Sequence, residues 1–220
     1  MAQVIIIGGH GKVALLLAPL LTERGDGVTS IIRNPDHAPA VEATGARAVV
    51  ADVESLDAAA IAELLRGHDA VVWSAGAGGG NPARTRAVDR DAAIRTVDAA
   101  ESAGVRRFVM VSYLGARTDH GVPADSTFFP YAEAKAAADE HLRASSLEWT
   151  IVAPGGLTLE EPSGRIDVVS APPASGGTDT SRANVAHVVR AVLDAPATAG
   201  RMIEFHDGDT PIAEAIGAQR

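Results

Sequence analysis

The chain reads as a three-layer α/β protein built on a doubly wound parallel sheet, and three observations carry that expectation. Short β-branched runs recur at residues 4–7, 28–33, 47–51, 70–74, 108–112 and 150–153; alanine- and leucine-rich stretches of helical period separate them; and the first run breaks into a glycine turn that reopens as a helix. Strands alternating with helices imply right-handed crossover units and a sheet covered on both faces. With 220 residues there is material for one sizeable core, so a single domain is expected, with a small C-terminal region beginning near residue 155.

The helices follow in order. Residues 12–24 are apolar almost all round, as suits a helix wedged against a sheet, and Pro19 in the interior predicts a kink or an early end. Residues 84–103 form a long helix closed by Gly104, a C-cap glycine. Pro130 suits the first turn of a helix reaching about residue 146. Residues 184–193 keep the helical period, and 202–206 read as a late short strand. Neither an internal repeat nor a domain linker is visible.

Composition excludes several classes. Lys and Arg are outnumbered 19 to 28 by Asp and Glu, giving a net charge of −9, and they are not clustered, which argues against nucleic acid as a partner. The absence of cysteine removes disulfides and thiolate metal sites, and none of the seven histidines has metalloprotease spacing, so no metal is expected. The first apolar stretch lacks a basic leader and ends at Gly8, and no run approaches membrane-spanning length. A cytoplasmic protein without membrane association is the expectation.

The segment Val4-Ile5-Ile6-Ile7-Gly8-Gly9-His10-Gly11-Lys12-Val13-Ala14 is how a parallel strand delivers a helix N-terminus to a diphosphate. Its spacing is G-x-x-G-x-x-A, short of the full dinucleotide fingerprint, and a ligand-free strand-to-helix turn is the competing reading. A triphosphate loop is set aside, because Ile6 stands where its first glycine belongs and Val13 where Ser or Thr would reach magnesium.

After the second strand, Arg33-Asn34-Pro35 occupies the place where NAD-preferring proteins carry an acid for the ribose 2′-hydroxyl. A guanidinium there grips a 2′-phosphate, which favours NADP over NAD; the alternative is a solvated residue at a strand end. Asp52 can accept from an adenine amino group while Val53 packs on the ring. Ser74-Ala75-Gly76 opens a small-residue loop, continuing through Gly80, that lets a cofactor lie across the strand ends.

Tyr131 and Lys135 stand four apart on one helix face, where an ammonium can favour the ionised phenol, and Ser112 ends the fifth strand. Such a phenol passes a proton to or from a carbonyl or hydroxyl oxygen, with Ser112 adding a hydrogen bond to that oxygen. A Tyr–Lys pair that holds ribose without turnover remains the alternative.

The stretches IIIGGHGKVA, SIIRNP, VADVES, VVWSAGAG, VDRDAAIRTVDAAESAGVRRFVMVS, YAEAKAAADEHL and SSLEWTIVAPGGLT together resemble the short-chain dehydrogenase/reductase superfamily, in its atypical branch of compact NAD(P)H-binding proteins with the Rossmann fold. The resemblance implies a diphosphate held by Gly8, His10, Gly11, Lys12 and Val13, and a 2′-phosphate met by Arg33 beside Asn34. It also implies that Asp52 and Val53 flank adenine and that Ser74, Ala75 and Gly76 run beneath the cofactor. Tyr131 and Lys135 would meet the nicotinamide ribose, and Pro154, Gly155, Gly156 and Leu157 would close over the nicotinamide. Three departures stand out: Ala153 where relatives carry Arg, Tyr113 directly after Ser112, which leaves the catalytic-serine position open, and Asn184 where Asp is common.

The function so implied is an NADP-preferring oxidoreductase acting on a small carbonyl, quinone or flavin-type substrate, with Tyr131, Lys135 and Ser112 as its catalytic set. Its alternatives are an NmrA-like redox sensor without catalysis and an NAD-dependent epimerase or isomerase. The long helices of this superfamily often pair, so a homodimer is part of the expectation.

Overall fold

Six strands, β1 (Gln3–Ile7), β2 (Gly27–Ile32), β3 (Arg47–Val50), β4 (Ala70–Trp73), β5 (Arg107–Val111) and β6 (Glu148–Pro154), pair in parallel in the order β3-β2-β1-β4-β5-β6. The structure is a computed structural model and describes residues 1–78, 80–169 and 178–219. Strand order reverses beside β1, which pairs with β2 on one side and β4 on the other. Connections leave that point in opposite directions, and a crevice opens at the carboxyl ends of the strands.

The two faces are covered by α1 (Lys12–Glu23), α2 (Ala38–Glu42), α3 (Ala58–Leu65), α4 (Pro82–Thr85), α5 (Ala93–Ala103), α6 (Phe129–Ala144), α7 (Arg182–Leu193) and α8 (Ile212–Gly217). Alternation along β1 divides the core: Val4 and Ile6 join the cluster with Leu17 of α1 and Val185 of α7, whereas Ile5 and Ile7 join Ile61 of α3, Val97 of α5 and Leu142 of α6. Because both faces are buried, β1 reads as a continuous apolar run.

Beyond β6 the chain adds β7 (Gly156–Thr158), β8 (Arg165–Val168), β9 (Asp179–Ser181), β10 (Arg201–Asp207) and β11 (Thr210–Pro211). β10 extends the parallel sheet beside β6, while β8 and β11 join it antiparallel, giving nine strands in the main sheet among the described residues. β7 and β9 form a separate parallel pair after Gly155. The doubly wound sheet therefore carries an antiparallel edge that the strand-helix alternation does not predict.

Two local expectations are corrected. α1 runs through Pro19 to Glu23 without ending there. Proline removes one helical hydrogen bond, but Val13, Ala14, Leu17, Ala18 and Leu21 are all buried, and that packing holds the segment in place. The long helix expected over residues 84–103 begins at Pro82, capped by the Asn81 side chain, and is interrupted by a π-helical stretch, Arg86–Ala92, before α5. Its end at Gly104, with φ 76°, is the expected left-handed cap. Among the described residues no helix is long and apolar enough to cross a membrane.

Candidate cofactor cleft and buried polar cluster

Strand register brings the carboxyl ends to one level. Ile7 is aligned with Ile31 and with Trp73, and the pairing continues one residue further, with the Ser74 amide donating to the Ile7 carbonyl at 3.0 Å. The turn that leaves β1 admits no side chain at its first two positions. Gly8 has φ 85°, and a Cβ on it would lie 2.6 Å from the Ala75 Cα; a Cβ on Gly9 would lie 2.4 Å from the Ser30 Cβ. Gly11 is the N-cap of α1 and has no side chain to cap it, so the first helical N–H groups lack an intrahelical acceptor just where the turn opens.

A cleft of about 330 Å³ lies over this edge. Gly8, His10 and Gly11 line it from the turn, Arg33 and Asn34 from the end of β2, and Asp52 and Val53 from the end of β3. Ser74, Ala75 and Gly76 supply the β4 side. These ten residues of the sequence-derived set thus converge. Lys12 is exposed on α1 and Val13 is buried beneath it, and neither lines the cleft. Gly79 of the glycine-rich loop lies outside the described residues. Small residues on the floor, an uncapped helix start and guanidinium groups at the rim fit an anionic dinucleotide.

Residues that local pattern did not single out complete the rim. Glu54 stands between two guanidinium groups, with its Oε2 3.6 Å from Arg33 Nη1 and 3.6 Å from Arg84 Nη2. Arg95 of α5 holds the loop carrying Glu54 by donating to the carbonyls of Val53, Glu54 and Leu56 at 3.0–3.2 Å. His37, in the 3₁₀ turn Pro35–His37, stacks on His10 with ring centroids 3.6 Å apart and planes 14° from parallel.

Pro154, Gly155, Gly156 and Leu157 lie at the end of β6, separated from β1 by β4 and β5. They do not line the cleft. Gly155 is pinned there, its amide donating to the Phe205 carbonyl at 2.9 Å and to Thr180 Oγ1 at 3.1 Å.

Between these two ends, α6 places Tyr131, Lys135 and Asp139 on one face, each a helical turn from the next. Lys135 is fully buried, and its ammonium donates to the Val111 carbonyl at 2.8 Å and to Met110 Sδ at 3.4 Å. Asp139, also fully buried, accepts from the Ser112 hydroxyl at 2.5 Å, and its Oδ1 has no partner among the described residues. Asp89, from the π-helical stretch, is buried as well and accepts from the Ala77 amide at 3.1 Å. π-helical insertions recur at functional sites, and here the stretch carries the only buried carboxylate that reaches the loop after β4 among the described residues.

Two buried carboxylates thus flank one buried ammonium. Burial raises the pKa of Asp89 and of Asp139, with Lys135 acting against the shift in both cases. Burial lowers that of Lys135, opposed by the two aspartates. The Tyr131 phenol is raised by burial first, then by Asp89, Asp139 and Tyr113. That shift runs opposite to the one expected from Lys135 alone: burial first, and then the carboxylates that come with Lys135, favour the neutral phenol. Ser112 is also committed differently, since its hydrogen goes to Asp139. The adjacent Tyr113 hydroxyl is buried without a partner among the described residues and is pushed up to about 12, mainly by burial. Its ring lies 5.6 Å from that of Tyr131 and 5.2 Å from that of Phe128.

Residues 8–196 match the family model described as NAD(P)H-binding. The chain belongs to the NAD(P)H-binding family. It is 37% identical over 216 residues to a Bacillus subtilis protein named as the uncharacterized sugar epimerase YhfK, across 97% of this chain and 98% of that one. A Bacillus halodurans structure described as a candidate NAD-dependent epimerase/dehydratase shares 33% identity, with a TM-score of 0.91 over 99% of this chain and all of the other. The oxidoreductase ylbE from Lactococcus lactis shares 29% identity with a TM-score of 0.85, over 98% and 95% of the two chains. The matched segment begins at Gly8, in the glycine turn that lines the cleft.

Proposed function

We propose that the protein is an NADP(H)-preferring oxidoreductase that reduces a small carbonyl, quinone or flavin-type acceptor. The observation that carries this reading is the half-buried Tyr131 phenol one helical turn from Lys135, its ring 5.6 Å from that of Tyr113, whose buried hydroxyl has no partner among the described residues. Nicotinamide, when bound, supplies the hydride. The chain's own part is to bind, orient and protonate. Gly8, Gly11 and the start of α1 hold the diphosphate; Arg33 and Asn34 hold the 2′-phosphate; Asp52 and Val53 take the adenine. Tyr131 donates the proton to the acceptor oxygen. Lys135 keeps one N–H uncommitted among the described contacts for the ribose, and Ser112 braces the cluster through Asp139.

The test is to mix purified protein with NADPH and a panel of quinones, aldehydes and flavins and to follow nicotinamide absorbance. Consumption with at least one class is expected. Failure to bind NADPH or NADH by calorimetry would sink the reading. Arg33→Asp is expected to weaken NADPH relative to NADH by on the order of 1–3 kcal/mol, through loss of charged hydrogen bonds to phosphate. An unchanged preference would leave Arg33 a surface residue.

A second reading, a redox sensor without turnover, is favoured by one feature: Lys135 and Ser112 both direct hydrogen bonds inward, to Val111 and Asp139. It predicts binding that distinguishes NADPH from NADP without consumption across the whole panel. An epimerase, the activity in the name of the Bacillus subtilis relative, would instead retain its dinucleotide and show no net oxidation.

A further inference from the structure

The rim of the cleft holds an internal charge balance that a phosphate monoester would upset. Arg33 and Arg84 contribute two guanidinium charges, and Asp52 and Glu54 two carboxylates, with Glu54 already within 3.6 Å of both arginines. Lys12 and Asp36, one charge of each sign, are near neighbours in sequence of His10 and His37 and do not line the cleft. The remaining titratable groups lining the cleft are His10 and His37, stacked ring on ring at 3.6 Å. Two imidazolium rings at that separation repel, and in the free protein the His10 pKa is lowered, by desolvation first and by His37 second.

We infer that the His10–His37 stack is a proton-coupled arm of the 2′-phosphate subsite, taking up a proton when NADP(H) binds. The inference rests on the proposed preference for NADP. The stack bridges the two segments that bracket the subsite, since His10 belongs to the glycine turn and His37 follows Arg33 and Asn34 by one short turn. A dianion placed at Arg33 meets a guanidinium whose charge Glu54, 3.6 Å away, already partly offsets. Protonation of the stack supplies further positive charge at near-neutral pH, where imidazole is the side chain able to do so. NADH brings no monoester and calls for no such proton.

The direction of the linkage is fixed. Imidazole pKa is higher in the NADPH complex than in the free protein, so the extra affinity is complete below the free-protein value and is lost as pH rises through the value in the complex. The preference for NADPH over NADH should fall up to about tenfold per pH unit in that window if one proton is taken up. The phosphate itself cannot mimic this. Its second ionisation lies near pH 6, and binding at arginine drives its residual proton off, which is release rather than uptake.

The experiment is calorimetry of NADPH and of NADH at about pH 7.5 in two buffers of different ionisation enthalpy, on the parent protein, His37→Gln and His10→Asn, with thermal melts to verify folding. Uptake of up to about one proton is expected with NADPH, less with NADH, and none with NADPH in either folded variant. A pH-independent preference for NADPH without uptake would overturn the inference and leave the proposed function standing, as would equal uptake with both dinucleotides or uptake that persists in the variants. If neither dinucleotide binds, the proposed function falls and the inference with it.

Discussion

Tyr131→Phe is expected to lower kcat for acceptor reduction by about 100- to 10,000-fold while NADPH affinity stays within a few-fold of the parent's. The substitution removes one oxygen and keeps the ring, so the packing against Tyr113 and Phe128, at centroid distances of 5.6 and 5.3 Å, persists. What it deletes is the donor. Burial and the carboxylates of Asp89 and Asp139 keep the folded phenol protonated well above its ordinary range, so as an acid it is available across the whole physiological range. Reduction should therefore be flat with pH until alkaline conditions, whereas the reverse oxidation, which needs the phenolate, should keep rising with pH. The measurement is a steady-state profile in both directions for parent and variant. An unaltered kcat in the variant would remove Tyr131 from the chemistry and favour the sensor.

How much of this was legible before the fold was known depends on the range of the interaction involved. The β1 to β6 core is readable because each strand is a short β-branched run buried on both faces, and Ile5, Ile6 and Ile7 need no partner to declare themselves. β8 and β11 are not readable, since a four-residue strand such as Arg165–Val168 is specified by β10 beside it rather than by its own alternation. Pro19 misleads for the same reason, a local penalty being outweighed by packing that lies elsewhere in the chain. The π-helical stretch hides inside a good helical pattern, because one extra residue in a turn barely changes the periodicity.

The site divides along the same line. Arg33, Asp52 and Ser74 could be found because a residue just past a parallel strand has a known address at the carboxyl edge. Glu54 between Arg33 and Arg84, Arg95 beneath the β3 loop, and His37 on His10 could not, because each is a meeting of segments remote in sequence. Asp139 was within reach: it continues the spacing of Tyr131 and Lys135 by one more turn. A carboxylate on an alanine-rich helix reads as solvated, and the Ser112 hydroxyl that accounts for its burial comes from another strand.

Lys135→Met is expected to destabilise the protein by about 3–5 kcal/mol near neutral pH, the range seen when one partner of a buried charge cluster is removed. The volume is retained and one methionine fits an apolar slot, so the loss comes from charge. Lys135 is the group that works against the upward shift of both Asp89 and Asp139, and without it two buried carboxylates lose the ammonium they share. The pH dependence follows from the direction of those shifts. Each aspartate already has a folded pKa above its unfolded value, so its stabilising share is complete below about pH 4 and is lost as pH rises through the folded value. Removing Lys135 moves the folded values further up and carries that loss toward neutrality, with a slope of up to about 1.4 kcal/mol per pH unit for each proton held only by the folded chain. Urea denaturation of parent and variant at about pH 5 and pH 8 reads this directly: the deficit should be larger at the higher pH. Adding Asp139→Asn to the variant should recover part of the deficit at the higher pH, since the amide keeps an acceptor for Ser112 and carries no charge. A deficit equal at both pH values, unmoved by the second substitution, would show that Lys135 acts through packing alone and that the carboxylates holding Tyr131 protonated are not electrostatically coupled to it.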